Sequence, residues 1–376
     1  MNNWARLGGP NAYPAPLRHA RYDRARLDIA REEPHLKEMV ALSCLDLSFV
    51  RSGHPPSASL RDSIALAQAC DMAGYTRYWL AEHHNLPSIA SPAPEIMIGQ
   101  IAAATSRMRV GSGGIMLPNH SPLMVAERFR VLEGLFPGRI DLGIGRAPGT
   151  DGVTAYALRR HQESREGDDF LEKLQELILW ETGQFPEGHP FRRVVAMPSD
   201  VRLPPIWLLG SSGYSARLAA QVGMGFAFAH HFAQHPVEDA MLTYKENFQP
   251  SVWLPEPRSV LAVAAAVAET AEEAERIASS QDLQRLRRDR GEFGPLPSPE
   301  EAAAYPYTEG ERLSIRRNRE RFFVGTPDEV ATRLADFARA TRADEVMVAS
   351  AIWDQAARRR SYELLIQAMA QKNAAA

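Results

Sequence analysis

From Met39 onward, short β-branched or apolar runs alternate with longer amphipathic segments, and nothing else in the chain restricts its fold so strongly. The runs occupy residues 40–47, 78–81, 108–115, 140–144, 206–209, 225–229, 259–268 and 345–349. Such alternation is the pattern of parallel βαβ units. Eight strands are what closes a barrel, and a closed parallel barrel buries each strand on both faces, which explains why the runs are almost continuously apolar. The expected fold class is therefore α/β, a (β/α)8 TIM barrel.

The intervening segments carry helix signals. Leu60, Ile64, Ala67, Cys70 and Ala73 recur at three- and four-residue steps, and Gly74 follows as a stop. Ser121-Pro122 predicts a helix start with a capping hydroxyl, and Thr326-Pro327-Asp328-Glu329 predicts one with a capping-box glutamate. Two stretches exceed a minimal barrel: residues 181–204, and the charged residues 272–321, read as a solvated helix that breaks at Gly294-Pro295-Leu296-Pro297. Such insertions serve either as lids at the C-terminal face or as surface excursions.

The chain has 376 residues, 45% of them hydrophobic, enough for one large core over residues 39–376. A net charge of -3 supplies no basic field to attract nucleic acid or an acidic membrane, so the expected partner is a small molecule. Two cysteines form no disulfide framework, and no apolar run approaches the roughly 20 residues of a membrane helix. With no basic-then-apolar order at the N-terminus, the expected location is the cytoplasm. Residues 1–38 alternate arginines with prolines and keep no period. They are expected to form a weakly ordered N-terminal extension, with Met39 a candidate native start.

In such a barrel, polar residues just beyond a strand face the active site. The second run ends in Glu82-His83-His84-Asn85, where one histidine is suited to proton chemistry and its neighbour, pointing the other way, to a structural bond. A metal site is the weaker alternative, because HExxH spacing and further ligands are missing. Glycines in Gly111-Ser112-Gly113-Gly114 leave a surface on which a planar ligand can lie, or mark a simple bulge. Arg146, after the fourth run, suits a phosphate or a ring carbonyl. Ser211-Ser212-Gly213-Tyr214-Ser215 opens a helix and reads as a phosphate cradle or as an ordinary serine cap. His230-His231-Phe232 and Trp353 are candidates for the substrate side of a pocket.

Together, "GYTRYWLAEHHN", "VGSGGIMLPNHSPLMVAERF", "GRIDLGIGRAPGT" and "LLGSSGYSARLAAQVGMGFAFAHHF" resemble, in order and spacing, the bacterial luciferase-like monooxygenase family of flavin-dependent oxidoreductases. The resemblance implies that His83 assists flavin–oxygen chemistry and that Gly113-Gly114, often a non-prolyl cis bond in the family, packs under the isoalloxazine. It also implies that Arg146, Ser211, Ser212 and Ser215 hold the phosphate and that His231 lies near the substrate. The implied cofactor is FMN as FMNH2, delivered by a separate flavin reductase and used with O2 to oxidise a small organic substrate. The implied assembly is a homodimer through helices beside the early strands, residues 122–136 among them. Gly145 stands where the luciferase catalytic subunit has cysteine, and Ser211 where it has an acidic residue, so light emission is not implied. Two other functions fit the same resemblance: hydride transfer with the deazaflavin F420, and a flavin-binding paralogue without turnover.

Overall fold

The computed structural model describes residues 40–147, 149–159 and 169–375; the expected extension over residues 1–38 lies outside them. Ten strands occur in it: β1 (Ala41–Asp46), β2 (Arg77–Leu80), β3 (Arg109–Ser112), β4 (Ile115–Met116), β5 (Ile140–Gly145), β6 (Ile206–Gly210), β7 (Gly225–Ala229), β8 (Ser259–Val267), β9 (Phe322–Gly325) and β10 (Glu345–Ala349). Strands β1, β2, β3, β5, β6, β7, β8 and β10 pair in parallel in that order, and β10 returns to β1. The eight predicted runs are the eight barrel strands. The third run is broken in two, with β4 continuing β3 past Gly113-Gly114 and pairing with β5. Strand β9 has no counterpart among the runs: it is four residues long, follows the charged stretch, and pairs with β8 outside the closed circle.

Side chains of successive strand residues point to opposite faces. Leu42, Cys44, Tyr78, Leu80, Val110 and Leu142 join the packing against the helices, while Leu45, Trp79, Trp207, Ala227, Ala262 and Met347 form a separate cluster inside the barrel. Near the strand starts the interior is polar and closed by charge. Arg77 Nε donates to both oxygens of Glu345 (2.8 and 2.9 Å), and its Nη1 donates to Asp141 (2.9 Å). Arg109 Nε reaches the other Asp141 oxygen at 2.9 Å. Burial alone would raise the Asp141 carboxyl, but Arg109 and Arg77 outweigh it and hold it below the usual range. Above this layer Trp79 and Trp207 meet edge to face at 5.5 Å. Beyond them the inward positions shrink to Ala81, Gly113, Gly145, Ala229, Ala264 and Ala349, so the C-terminal half of the barrel stays open.

The helix signals are realised with two differences. Gly74 ends helix Pro56–Ala73 in the left-handed conformation at φ 94°, and the Glu329 carboxylate accepts from the Thr326 N–H (3.0 Å) and hydroxyl (2.8 Å). Helix Pro122–Leu135 starts where expected, but Ser121 makes no side-chain cap bond. In helix Pro56–Ala73 the buried face also includes Ser59 and Ser63, whose hydroxyls bond Phe49 O and Ser48 Oγ. The C-terminal helix Gln355–Ala375 is pinned through Arg358, which donates to the buried Asp46 at 2.7 Å.

The two insertions part ways. Residues 181–204 pack at the side of the barrel, where Glu181 accepts from Arg130 (2.9 Å) and from the Leu203 N–H (3.2 Å), and none of them lines the central cavity. Residues 272–321 carry helices Ala271–Asp289, Pro299–Ala304 and Glu309–Arg319, and the first of them, with residues 292–294, reaches the barrel mouth. The first of these is not simply solvated, because Ala274, Ile277, Ala278, Leu283 and Leu286 bury one face. Both cysteines are buried free thiols, and no helix among the described residues is long and apolar enough to cross a membrane.

Candidate active site

A cavity of about 420 Å³ opens at the C-terminal ends of the strands, within the usual size of a small-molecule site. Eight of the nine residues singled out from the sequence line it: His83, Gly113, Gly114, Arg146, Ser211, Ser212, Ser215 and His231. Trp353 does not. Its indole N–H donates to Ser52 O (3.3 Å) and Oγ (3.2 Å), and its ring packs against Arg51 and His54, away from the lining. The reason is directional, since position 353 lies past β10 in a turn that faces the loop after β1. His230 likewise leaves the cavity and packs on Phe337.

The adjacent histidines diverge as period-two geometry requires. His83 faces the cavity, and its buried Nδ1 has no hydrogen-bond partner among the described residues. Burial pulls its pKa down to about 4, so the imidazole is neutral across the physiological range. His84 turns away and donates through Nε2 to Glu82 at 2.8 Å. Glu82 also accepts from His120 Nε2 (2.9 Å), Asn119 Nδ2 (3.1 Å) and the Met116 N–H (2.8 Å). Burial would raise this carboxyl, yet the His120 bond and charge, with the other donors, hold it below the usual range. Glu82 thereby ties the end of β2 to the segment that follows β4, fixing the wall beside His83. His120 and Asn119 carried no signal of their own in the sequence, because the bonds join residues about forty apart.

The Gly113–Gly114 peptide is cis. A Cβ at Gly113 would stand 3.0 Å from Leu45 Cδ1 and 3.1 Å from Trp79 Cβ, and one at Gly114 would stand 2.7 Å from Gly143 O. Side chains are thus excluded there, and the cavity wall is bare backbone. At Gly145 a Cβ would approach Met116 Sδ to 2.8 Å, so a cysteine at this position would have to displace Met116.

Around the rim, Ser211, Ser212 and Ser215 surround the N-terminus of helix Gly213–Val222. Ser212 occupies the cap position without a side-chain cap bond, and none of the three hydroxyls has a hydrogen-bond partner among the described residues. Hydroxyls, N-terminal amides and the positive end of the helix dipole converge on an anion position. Arg146 lies alongside, its guanidinium 4.6 Å from the Tyr214 ring centre. His231, also neutral with a pKa pulled down to about 4 by burial, donates through Nδ1 to Ala262 O at 3.3 Å, which leaves Nε2 as an acceptor.

The profile of the family described as luciferase-like monooxygenase matches residues 40–345. This chain belongs to the luciferase-like monooxygenase family. A protein of Escherichia coli strain K12 named luciferase-like monooxygenase is 42% identical over 86% of this chain and 96% of its own length. The N-acetyl-S-alkylcysteine monooxygenase of Bacillus subtilis strain 168 is 34% identical over 88% of this chain and 98% of its own. Among solved structures, apo-MsnO8 is similar with a TM-score of 0.80 at 40% identity, covering 88% of this chain and 98% of that one. The FMN complex of the oxygenating constituent of 3,6-diketocamphane monooxygenase from a Pseudomonas putida plasmid (TM-score 0.66, 20% identity, 89% and 98% covered) shares the fold. So does an F420-dependent secondary alcohol dehydrogenase (TM-score 0.62, 11% identity, 88% and 99% covered).

Proposed function

We propose that this luciferase-like protein is an FMN-dependent monooxygenase that takes reduced flavin from a separate reductase and uses O2 to oxidise a small organic substrate. One observation carries the reading: a single cavity unites three serine hydroxyls at a helix N-terminus, Arg146 beside them, a side-chain-free wall at Gly113-Gly114, and the buried Nδ1 of His83, and neither the serine hydroxyls nor that nitrogen has a hydrogen-bond partner among the described residues. These residues fit an FMN molecule. Ser211, Ser212, Ser215 and Arg146 would hold its phosphate, and the glycine wall would take the planar ring. Reduced FMN, when bound, supplies the electrons with which O2 is activated.

The protein's own contribution is shape and proton placement. The apolar side chains of the cavity exclude water, and the neutral His83 imidazole offers one nitrogen at which a proton can be held or given up. The residues carry no GxGxxG after β1, which agrees with electrons arriving on flavin rather than on a nicotinamide bound here. A cytoplasmic location is part of this reading, supported by the two free thiols.

The test supplies FMN, a flavin reductase and NADH and measures substrate-dependent O2 consumption. Consumption above the free-flavin background is expected. Arg146→Ala is expected to weaken FMN binding by about tenfold or more, as loss of a charge-assisted phosphate contact requires. Saturable binding of F420 with none of FMN, read from tryptophan quenching, would replace this function with hydride transfer.

A homodimer belongs to the same proposal. Met72, Ile96, Val131 and Leu135 are exposed on the neighbouring helices Pro56–Ala73, Pro94–Ala104 and Pro122–Leu135, an apolar surface of the kind that pairs subunits. Sedimentation is expected to return twice the chain mass, and Leu135→Glu to return the single mass. A wild-type monomer at micromolar concentration would sink the idea.

A further inference from the structure

The helix Ala271–Asp289 that crosses the barrel mouth presents an unusual face to the cavity. Gln281, Gln284, Arg285 and Arg288 all line it, and their spacing of three, four and seven residues puts them on one side of the helix. The buried Ala274, Ile277 and Ala278 lie on the same face one and two turns earlier, so the side of the helix that packs on the protein carries polar groups only where it reaches the cavity.

The donors of the stripe are poorly matched by acceptors. Among the described residues the Arg288 guanidinium makes no hydrogen bond or ion pair, and the Arg285 guanidinium has as its only partner the His231 carbonyl at a long 3.4 Å. Gln284 Nε2 is buried with no hydrogen-bond partner among the described residues. No carboxylate forms an ion pair with either arginine among the described residues: Asp282 is held by Arg319 at 2.7 Å, Asp289 and Asp282 act on Arg285 only through space, and Glu292, exposed at the rim, pairs with neither. Burial, reinforced by Arg288 and Arg321, makes the Arg285 charge harder to hold, which is the signature of a cationic spot awaiting a counter-charge. The facing walls are apolar, made by Phe49, Leu86, Ile89, Phe232 and Phe293.

We propose that Arg285, Arg288 and Gln284 form a recognition site for the anionic group of the substrate, and that the substrate is an amphiphilic organic anion, a carboxylate or sulfonate on an apolar body. This rests on the reading that the cavity holds flavin and substrate together. The arginines come from a different element than the phosphate cradle: Ser211, Ser212 and Ser215 follow β6, whereas the arginines belong to the insertion after β8. A forked guanidinium and an amide N–H match the oxygens of such a group, and the aromatic walls take its body.

The test uses 4-phenylbutanoate and 4-phenylbutanamide, which differ in charge and hardly in shape, titrated by calorimetry into FMN-free and FMN-loaded protein. The acid is expected to bind about tenfold or more tighter than the amide. Arg288→Gln, at an exposed position that does not endanger folding, narrows that preference. Arg285→Gln with Arg288→Gln abolishes it, Arg288→Lys keeps most of it, and FMN affinity changes in none of them. Equal binding of acid and amide, no binding of the acid, or loss of FMN affinity in Arg288→Gln overturns the proposal. The last result assigns the arginines to the flavin phosphate. A preference that persists in protein that fails to bind FMN supports the anion site while removing the flavin reading, so the two fail separately.

Discussion

His83→Ala is expected to lower substrate-dependent O2 turnover by roughly 10²–10⁴-fold, the usual worth of a positioned proton-transfer group, while FMN affinity stays within about threefold. The histidine touches the cavity but belongs to neither the phosphate cradle nor the glycine wall, so its loss strikes the chemistry rather than flavin binding. Burial has already removed its charge: with a pKa near 4, His83 is neutral at pH 5–9. The pH profile of kcat in the wild type should therefore show no inflection near the ordinary histidine value from this group. Turnover that survives in His83→Ala at wild-type level, with O2 consumption measured against a flavin-only control, would take His83 out of the mechanism.

The second large effect concerns stability. Arg77→Met leaves Glu345 without its guanidinium and Asp141 with Arg109 and the Trp79 indole N–H, in a layer where both carboxylates are buried. Removing one partner of a buried ion pair typically costs about 3–5 kcal/mol, and that is the expected loss in a urea titration at pH 7. The pH dependence follows from Asp141. Its folded-state pKa lies below the ordinary 3.8, so the stability it contributes is present above about pH 4 and is lost as pH falls through the depressed value. Arg77→Met relaxes that depression, so the deficit is largest at neutral pH and shrinks below about pH 4, where Asp141 takes a proton. A deficit under about 1 kcal/mol at pH 7, or one independent of pH, would show that the interior charge layer is not what closes the barrel base.

Much of the site was legible because strand ends in a parallel barrel converge on one face, so local motifs far apart in sequence point to a common place. His83, Gly113, Gly114, Arg146, Ser211, Ser212, Ser215 and His231 were reached in this way and share one cavity. Trp353 failed for the same reason in reverse. An aromatic residue beyond a strand end is directed by the turn it sits in, and this one is bonded to Ser52 in the loop after β1. The four-residue β9 escaped notice because it pairs outside the barrel and is too short for its own periodicity to show.

The sequence by itself determined the number and order of the barrel strands, the glycine wall and the serine cradle. These depend on side-chain size, period-two burial and backbone freedom, properties carried by a few consecutive residues. Tertiary structure alone decided the rest. What braces the wall beside His83 is the Glu82 bonds to His84 and His120, and the closed base depends on Arg77 meeting Glu345 across 268 residues. The cationic stripe of helix Ala271–Asp289 became visible only once the insertion was seen folded across the mouth. In sequence it is an amphipathic pattern with no stated direction, and only packing against the barrel turns Gln284, Arg285 and Arg288 toward the cavity.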